Sequence, residues 1–196
     1  MGFVTRNTYY FDAPGAQNTR DAARFAVERA RELGVQKIVV ASTSGRTALA
    51  FRDAMSGKGL DLIVVTHAVG FSRPGEWEFA EDVAETLRGE GAKIVTGTHA
   101  LSGLERAISR SSKLGGSSRT EAVAEALRRT VAVGLKVAVE CVLMAADQGA
   151  VAVDEEVIAV GGTASGADTV CVIRPAHTAA FFDLQVREIV AMPRVR

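Results

Sequence analysis

The chain has 196 residues, of which 47% are apolar and 23% charged, and its 23 basic residues are balanced by 23 acidic ones. That length suits one generous domain, and no linker divides it, so residues 1–196 read as a single domain. Zero net charge excludes the basic excess that a nucleic-acid footprint needs, and no apolar run reaches the ~18 residues that span a membrane.

The densest basic stretch, Arg106 to Arg119, is broken by Ser and Gly and reads as a solvated helix face and loop. MGFVTRNTYYFDAPG at the N-terminus lacks a basic start followed by an apolar segment, so it is not read as a signal peptide. Cys141 and Cys171 sit inside apolar runs, the setting of buried free thiols in a reducing compartment. A cytoplasmic protein is expected.

The first helix is predicted over 18–34. Asn18 stands at its cap with Asp21 three residues on, Ala22, Phe25, Ala26, Ala30 and Leu33 share one face, and Gly34 closes it. A strand follows at 37–42 and a helix over 45–56. LDLIVVTH, 60–67, is a continuous apolar run ending in polar residues, the pattern of a buried parallel strand. A Pro74-Gly75 loop leads to a predicted helix over 76–91, a third such strand over 92–100 and a helical segment over 101–112. After the flexible KLGGSSR comes an Ala-rich helical region, 120–147, opened by a capping box from Ser118 to Glu121 and divided near Gly134. Strands at 157–162, 169–175 and 187–193 finish the chain. Alternating strands and helices over 37–113 imply right-handed crossovers and a parallel sheet covered on both faces. The short links between the last three strands require at least one of them to run antiparallel.

Ligands of open α/β sheets bind outside the carboxyl ends of the parallel strands. Here those ends collect Ser42, Thr43, Ser44, Gly45, Arg46 and Thr47, then Thr66 and His67, then Thr96, Thr98 and His99. The first group joins a strand to a helix start, where free N–H groups, a glycine and hydroxyls suit an anion, a phosphate above all. The competing reading is an ordinary helix cap by Thr43 or Ser44. It is not a P-loop, because no G-x4-G-K-[ST] occurs. GGTASGADT, 161–169, is followed by a strand rather than a helix, so it fails the dinucleotide fingerprint and reads as a turn or as a further binding loop. His67, His99 and His177 match no short metal-ligand spacing, and hydrogen bonding is the expected role. Glu140 and Asp147, on one helix face, read either as an acid/base pair or as side chains satisfying buried polar neighbours. Phe71, Trp77 and Phe79 flank the Pro-Gly loop, to stack on an aromatic ligand or to pack beneath the loop.

AVERARELGVQKIVVASTSGRTALAFRD resembles the C-terminal domain of pyruvate kinase, where a helix and strand lead to a Thr-x-Ser-Gly-Arg-Thr/Ser loop that cradles a sugar phosphate of the allosteric effector. GGTASGADTVCVIRP is similar in position to that domain's late effector loop. YYFDAPGAQNT, SGLERAISRSSKLGGSSRTEAVAEALR and FFDLQVREIVAMP extend the resemblance, nearly end to end, to a family of small stand-alone pyruvate kinase α/β-domain-like proteins. The resemblance implies a three-layer α/β/α fold with a mostly parallel sheet. It also implies a pocket in which family members hold flavin mononucleotide (FMN).

Thr43, Ser44, Gly45 and Thr47 match the phosphate loop. His67, Thr98 and His99 fall on neighbouring strand ends, and Asn18 and Thr19 match the family's early Pro-Gly-x-x-Asn-Thr segment. Arg46 stands where relatives often carry an acidic or amide residue and is closer to pyruvate kinase itself, so flavin and sugar phosphate both stay open. The sequence contains no pyruvate kinase barrel, hence no kinase activity is expected. The resulting expectation is a protein that binds a phosphate-bearing small molecule, FMN first, with no nucleic acid or membrane partner. The alternative is a regulatory module that senses a sugar phosphate and signals through a homo-oligomer interface. A hydrolase or isomerase with His67 or His99 as general base is the third reading.

Overall fold

The computed structural model describes residues 2–195. Seven strands form one sheet: β1 (Tyr9–Phe11), β2 (Lys37–Ala41), β3 (Asp61–His67), β4 (Lys93–Gly97), β5 (Val157–Gly161), β6 (Thr169–Arg174) and β7 (Gln185–Pro193), in the order β1-β7-β6-β5-β2-β3-β4. β6 runs antiparallel to both β5 and β7, and every other pairing is parallel. The expected antiparallel strand is therefore β6.

Helices α1 (Thr19–Leu33), α2 (Arg46–Met55) and α3 (Glu81–Gly89) cover one face. α5 (Arg119–Thr130) and α6 (Val133–Asp147) cover the other, with the short α4 (Gly103–Ser109) beside α5. Strand periodicity builds both cores: Ile38 and Val40 bury under α1 and α2, while Val39 between them buries under α6. Each large side chain so buried contributes about 1.5–3 kcal/mol. The result is the three-layer α/β/α arrangement with a mostly parallel sheet. Both cysteines are buried and free. Among the described residues no helix is long and apolar enough to cross a membrane.

Local expectations differ from the structure in four places. Asn18 precedes α1, but its side chain donates to Ala13 O (2.7 Å) instead of capping the helix. α3 begins at Glu81 rather than 76, because Trp77 leaves the helical path to stack on the buried Phe79 (ring centroids 5.4 Å apart). The Ala-rich region breaks at Val131–Ala132, where Ala132 is extended, so Gly134 lies inside α6 and not at the break. β1 was not among the expected strands; it is a three-residue edge strand held by β7 and by Tyr9 stacking on Phe25 at 4.0 Å. Gly34 closes α1 in the left-handed conformation, and Ser118 and Glu121 form the capping box of α5, as their spacing predicts.

Candidate functional site

β2 reaches the carboxyl edge of the sheet at Ala41, and α2 begins after four intervening residues, at Arg46. Gly45 makes the turn with φ of +95°, and a Cβ there would sit 2.7 Å from Val83 Cγ1, so both backbone and space demand glycine. The cap position is Gly45, which has no capping side chain, and it is Ser42 Oγ, rather than Thr43 or Ser44, that accepts a first-turn N–H, that of Ala48, at 3.3 Å. The backbone N–H groups of Gly45, Arg46 and Thr47 donate to no protein group among the described residues, which leaves a row of donors at the positive end of α2. Neither Thr43 nor Ser44 is therefore the cap of α2.

The loop and the first residues of α2 border a cavity of about 760 Å³. Thr43, Ser44, Arg46, Thr47, His67, His99 and Thr19 all line it. Gly45 makes the turn between Ser44 and Arg46 and is not itself among the lining residues. The remaining two expected residues are not among its lining: Asn18 is tied to Ala13 O, and Thr98 lines an adjoining cavity of about 380 Å³, with Asp147 and Thr178, that shares His99 and Met144 with the first.

At the end of β3, His67 Nδ1 lies 2.7 Å from Glu78 Oε2, and Nε2 lies 3.4 Å from Thr43 Oγ1. Ser72 Oγ donates to the other Glu78 oxygen at 2.8 Å. His99, just past β4, stands edge-on to His67 with ring centroids 5.0 Å apart, and Phe71 packs against both, 4.1 Å from His67 and 4.9 Å from His99. Phe71 is thus a cavity residue, while Phe79 packs in the core and Trp77 stacks on it. His177 is remote from this pair, 3.4 Å from Asp147. Among the described residues no group of three or more His, Cys, Asp or Glu side chains is placed to hold a metal ion.

The opposite wall carries charge. Arg106 on α4 lies over the Phe71 ring at 5.6 Å, and Arg128 on α5 is paired with Glu125 at 2.7 Å. On α6, Lys136 and Glu140 form a buried ion pair, 3% and 5% exposed, and Glu140 also accepts the Leu101 N–H at 2.9 Å. Glu140 and Asp147 occupy different cavities, so the structure supports the buried-partner reading of Glu140 and not an acid/base pair with Asp147. Cys141 lines the wall too, but burial pushes its thiol far up, so it is no thiolate at neutral pH.

The turn after β5 closes the rim with Gly162, Ala164, Ser165 and Gly166. Asp168, fully buried, accepts the Gly15 N–H at 2.9 Å, the Thr163 N–H at 3.0 Å and the Thr169 hydroxyl at 2.9 Å. Thr19 links the same two loops: it accepts the Ala167 N–H at 3.0 Å and donates to Ala16 O at 2.7 Å. The Gly-rich segment is therefore both the turn and a cavity wall.

The sequence matches the family described as pyruvate kinase, alpha/beta domain, over residues 20–173. The chain belongs to that family. Among solved structures it is similar to Cryptosporidium parvum pyruvate kinase in complex with ADP at 15% identity and a TM-score of 0.42, covering 85% of this chain and 25% of that one. The chain thus spans about a quarter of the length of the pyruvate kinase it matches.

In this pyruvate kinase alpha/beta domain, sequence reasoning missed Glu78, Arg106, Arg128 and Lys136 as cavity residues. Arg106 was assigned to a solvated face. The legible signal was Lys136 and Glu140, opposite charges four apart in an otherwise apolar helix, the spacing that pairs side chains.

Two cavity groups make stability depend on pH. Burial pushes the His99 imidazole below its ordinary 6.5; Glu140 opposes this, and His67, Lys136 and Arg106 push it further down. Glu78 is held below its ordinary 4.5 first by the His67 hydrogen bond, against desolvation, with Ser72 adding to it. Just below each ordinary value the unfolded chain binds more protons than the folded one, so stability rises with pH there and is lost on acidification. Unfolding midpoints at fixed ionic strength should fall as pH drops below 6.5, and again below 4.5. His99→Gln should remove the first decline. A flat profile between neutral pH and 4.5 would show that His99 is solvated in the folded protein.

Proposed function

We propose that this chain binds a phosphate-bearing small molecule in the cavity at the carboxyl ends of β2, β3 and β4, with FMN as the first candidate. The row of unpartnered N–H groups at Gly45, Arg46 and Thr47 carries this reading. Partial positive charge, oriented donors and an adjacent guanidinium are what a phosphate requires. The residues also fit the rest of the group: Phe71 with His67 and His99 offers an aromatic surface, and about 760 Å³ falls in the range of small-molecule sites. When bound, FMN would supply redox chemistry; the chain supplies the cradle, the aromatic surface and the cationic wall. The family resemblance concerns a domain, and no kinase activity follows from it. A second reading, a module sensing a sugar phosphate, is favoured by Arg46 and by the facing Arg106, Arg128 and Lys136, which suit a small, highly anionic ligand.

Freshly purified protein should show visible flavin absorption, or, if recovered colourless, a dose-dependent rise in Tm with FMN. Replacing Thr43 and Thr47 together by Val should lower affinity by roughly 10- to 100-fold while the fold persists. Unchanged affinity would sink the cradle assignment. Stabilisation by fructose bisphosphate but not by flavin would replace the first reading with the second.

A further inference from the structure

Ligand binding alone leaves one feature of the cavity without a role: Glu78, His67 and Thr43 are joined in a chain that ends at the cradle. Glu78, fixed by Ser72, faces His67 Nδ1, and in the tautomer that donates from Nδ1 the Nε2 lone pair faces the Thr43 hydroxyl at 3.4 Å. The imidazole plane is braced by Phe71 and His99. A base within reach of a hydroxyl, itself oriented by a carboxylate, is the arrangement of an activated nucleophile, and the first contact is commonly loose before substrate arrives. Thr43 is exposed to the cavity and opens the same loop whose N–H groups face the ligand.

From this juxtaposition we infer that the cavity hydrolyses phosphate monoesters, with Thr43 as nucleophile, His67 as base and Glu78 as the residue that positions His67; the inference rests on the phosphate reading of the cradle. Thr43 Oγ1 attacks phosphorus while its proton passes to His67 Nε2. The bond to the ester oxygen breaks, and the leaving alkoxide takes that proton, giving the alcohol and phosphorylated Thr43. Water then attacks phosphorus, His67 accepts its proton and returns it to the departing Thr43 oxygen, and inorganic phosphate is released. No oxidant or reductant enters, and water is the only co-reactant. The α2 N–H groups and Arg46 hold the phosphoryl oxygens through both steps, where charge stabilisation and positioning supply most of the catalysis. FMN is itself such a monoester.

The test uses the full chain with two probes, inorganic phosphate for binding by thermal shift and p-nitrophenyl phosphate for turnover. Phosphate should raise Tm, p-nitrophenol should be released, and a rapid acid quench should yield a phosphorylated peptide containing Thr43. Glu78→Gln should lower kcat by about 100-fold with KM little changed, and Glu78→Asp, which keeps the carboxylate, should restore part of the rate, a pattern that mere loosening of the fold would not produce. Thr43→Ser, which keeps the hydroxyl, should keep turnover, whereas Thr43→Val should abolish it. Stabilisation by phosphate without turnover or adduct overturns the relay and leaves the cradle standing. No response to phosphate at all removes the cradle and the relay together. Turnover that survives Thr43→Val assigns the chemistry elsewhere and overturns the inference.

Discussion

Lys136→Met is expected to destabilise the protein by about 3–5 kcal/mol, a large share of a typical total of roughly 5–15 kcal/mol. Lys136 and Glu140 are 3% and 5% exposed, so removing the ammonium leaves a carboxylate in the interior with only the Leu101 N–H as a described partner. Burial lowers the Lys136 pKa while Glu140 raises it, which shows from the other side how far each charge depends on its partner. Glu140→Gln keeps an acceptor for Leu101 but strands the ammonium, and should be comparably harmful. The double variant Lys136→Met/Glu140→Gln should recover most of the loss, because desolvation of both charges disappears with them. Urea unfolding with an unchanged m-value measures all three, and the cycle isolates the coupling. Additive single effects would mean that water reaches the pair from the cavity side. The pair is then better understood as part of the cavity lining than as a structural staple.

How much of this was legible in the sequence depended on distance along the chain. The strand-to-helix turn proposed as the cradle was legible because everything it needs is local: an apolar strand, a glycine, and a helix start within a few residues. β2 and β3 were legible for the same reason, as buried parallel strands are continuous apolar runs. β1 was not, because three aromatic-rich residues carry no periodicity and owe their pairing to β7, far along the chain. Asn18 had the right residue type for a cap, but Ala13 O, five residues back, competed for its amide. Glu78, Arg106 and Arg128 reach the cavity only through the packing of elements that no local pattern relates to β2. Of the two uses the sequence offered for the Gly-rich segment, the turn is what the structure shows, with Asp168 and Thr19 tying it to the loop before α1; its place on the cavity rim is what keeps the binding loop a proposal.

Gly161→Ala is expected to cost about 3 kcal/mol or more, near the top of the range for overpacking. A Cβ at Gly161 would lie 2.2 Å from Gly134 O and 2.9 Å from Ala138 N, and both are backbone atoms of α6 that no rotamer change can move. Gly134→Ala sets two effects against each other. Inside a helix the exchange gains about 1 kcal/mol of propensity, yet the new Cβ would lie 2.2 Å from Thr169 Oγ1 and 2.5 Å from Thr169 Cβ. Thr169 is fully buried and β-branched, so it cannot rotate away, and a net loss of about 2 kcal/mol is expected. Gly89→Ala, at the end of α3 with open space around it, is the control and should be neutral or mildly stabilising. Neither Gly134 nor Gly161 has a positive φ, so steric contact alone decides the sign. If Gly161→Ala were as harmless as Gly89→Ala, α6 would have to slide freely on β5. The consequence reaches the cavity, because the same first turns of α6 carry Lys136 and Glu140. Lifting the helix off β5 and β6 would draw the charged wall away from the cradle, so ligand affinity should fall with stability in both glycine variants and stay unchanged in the control.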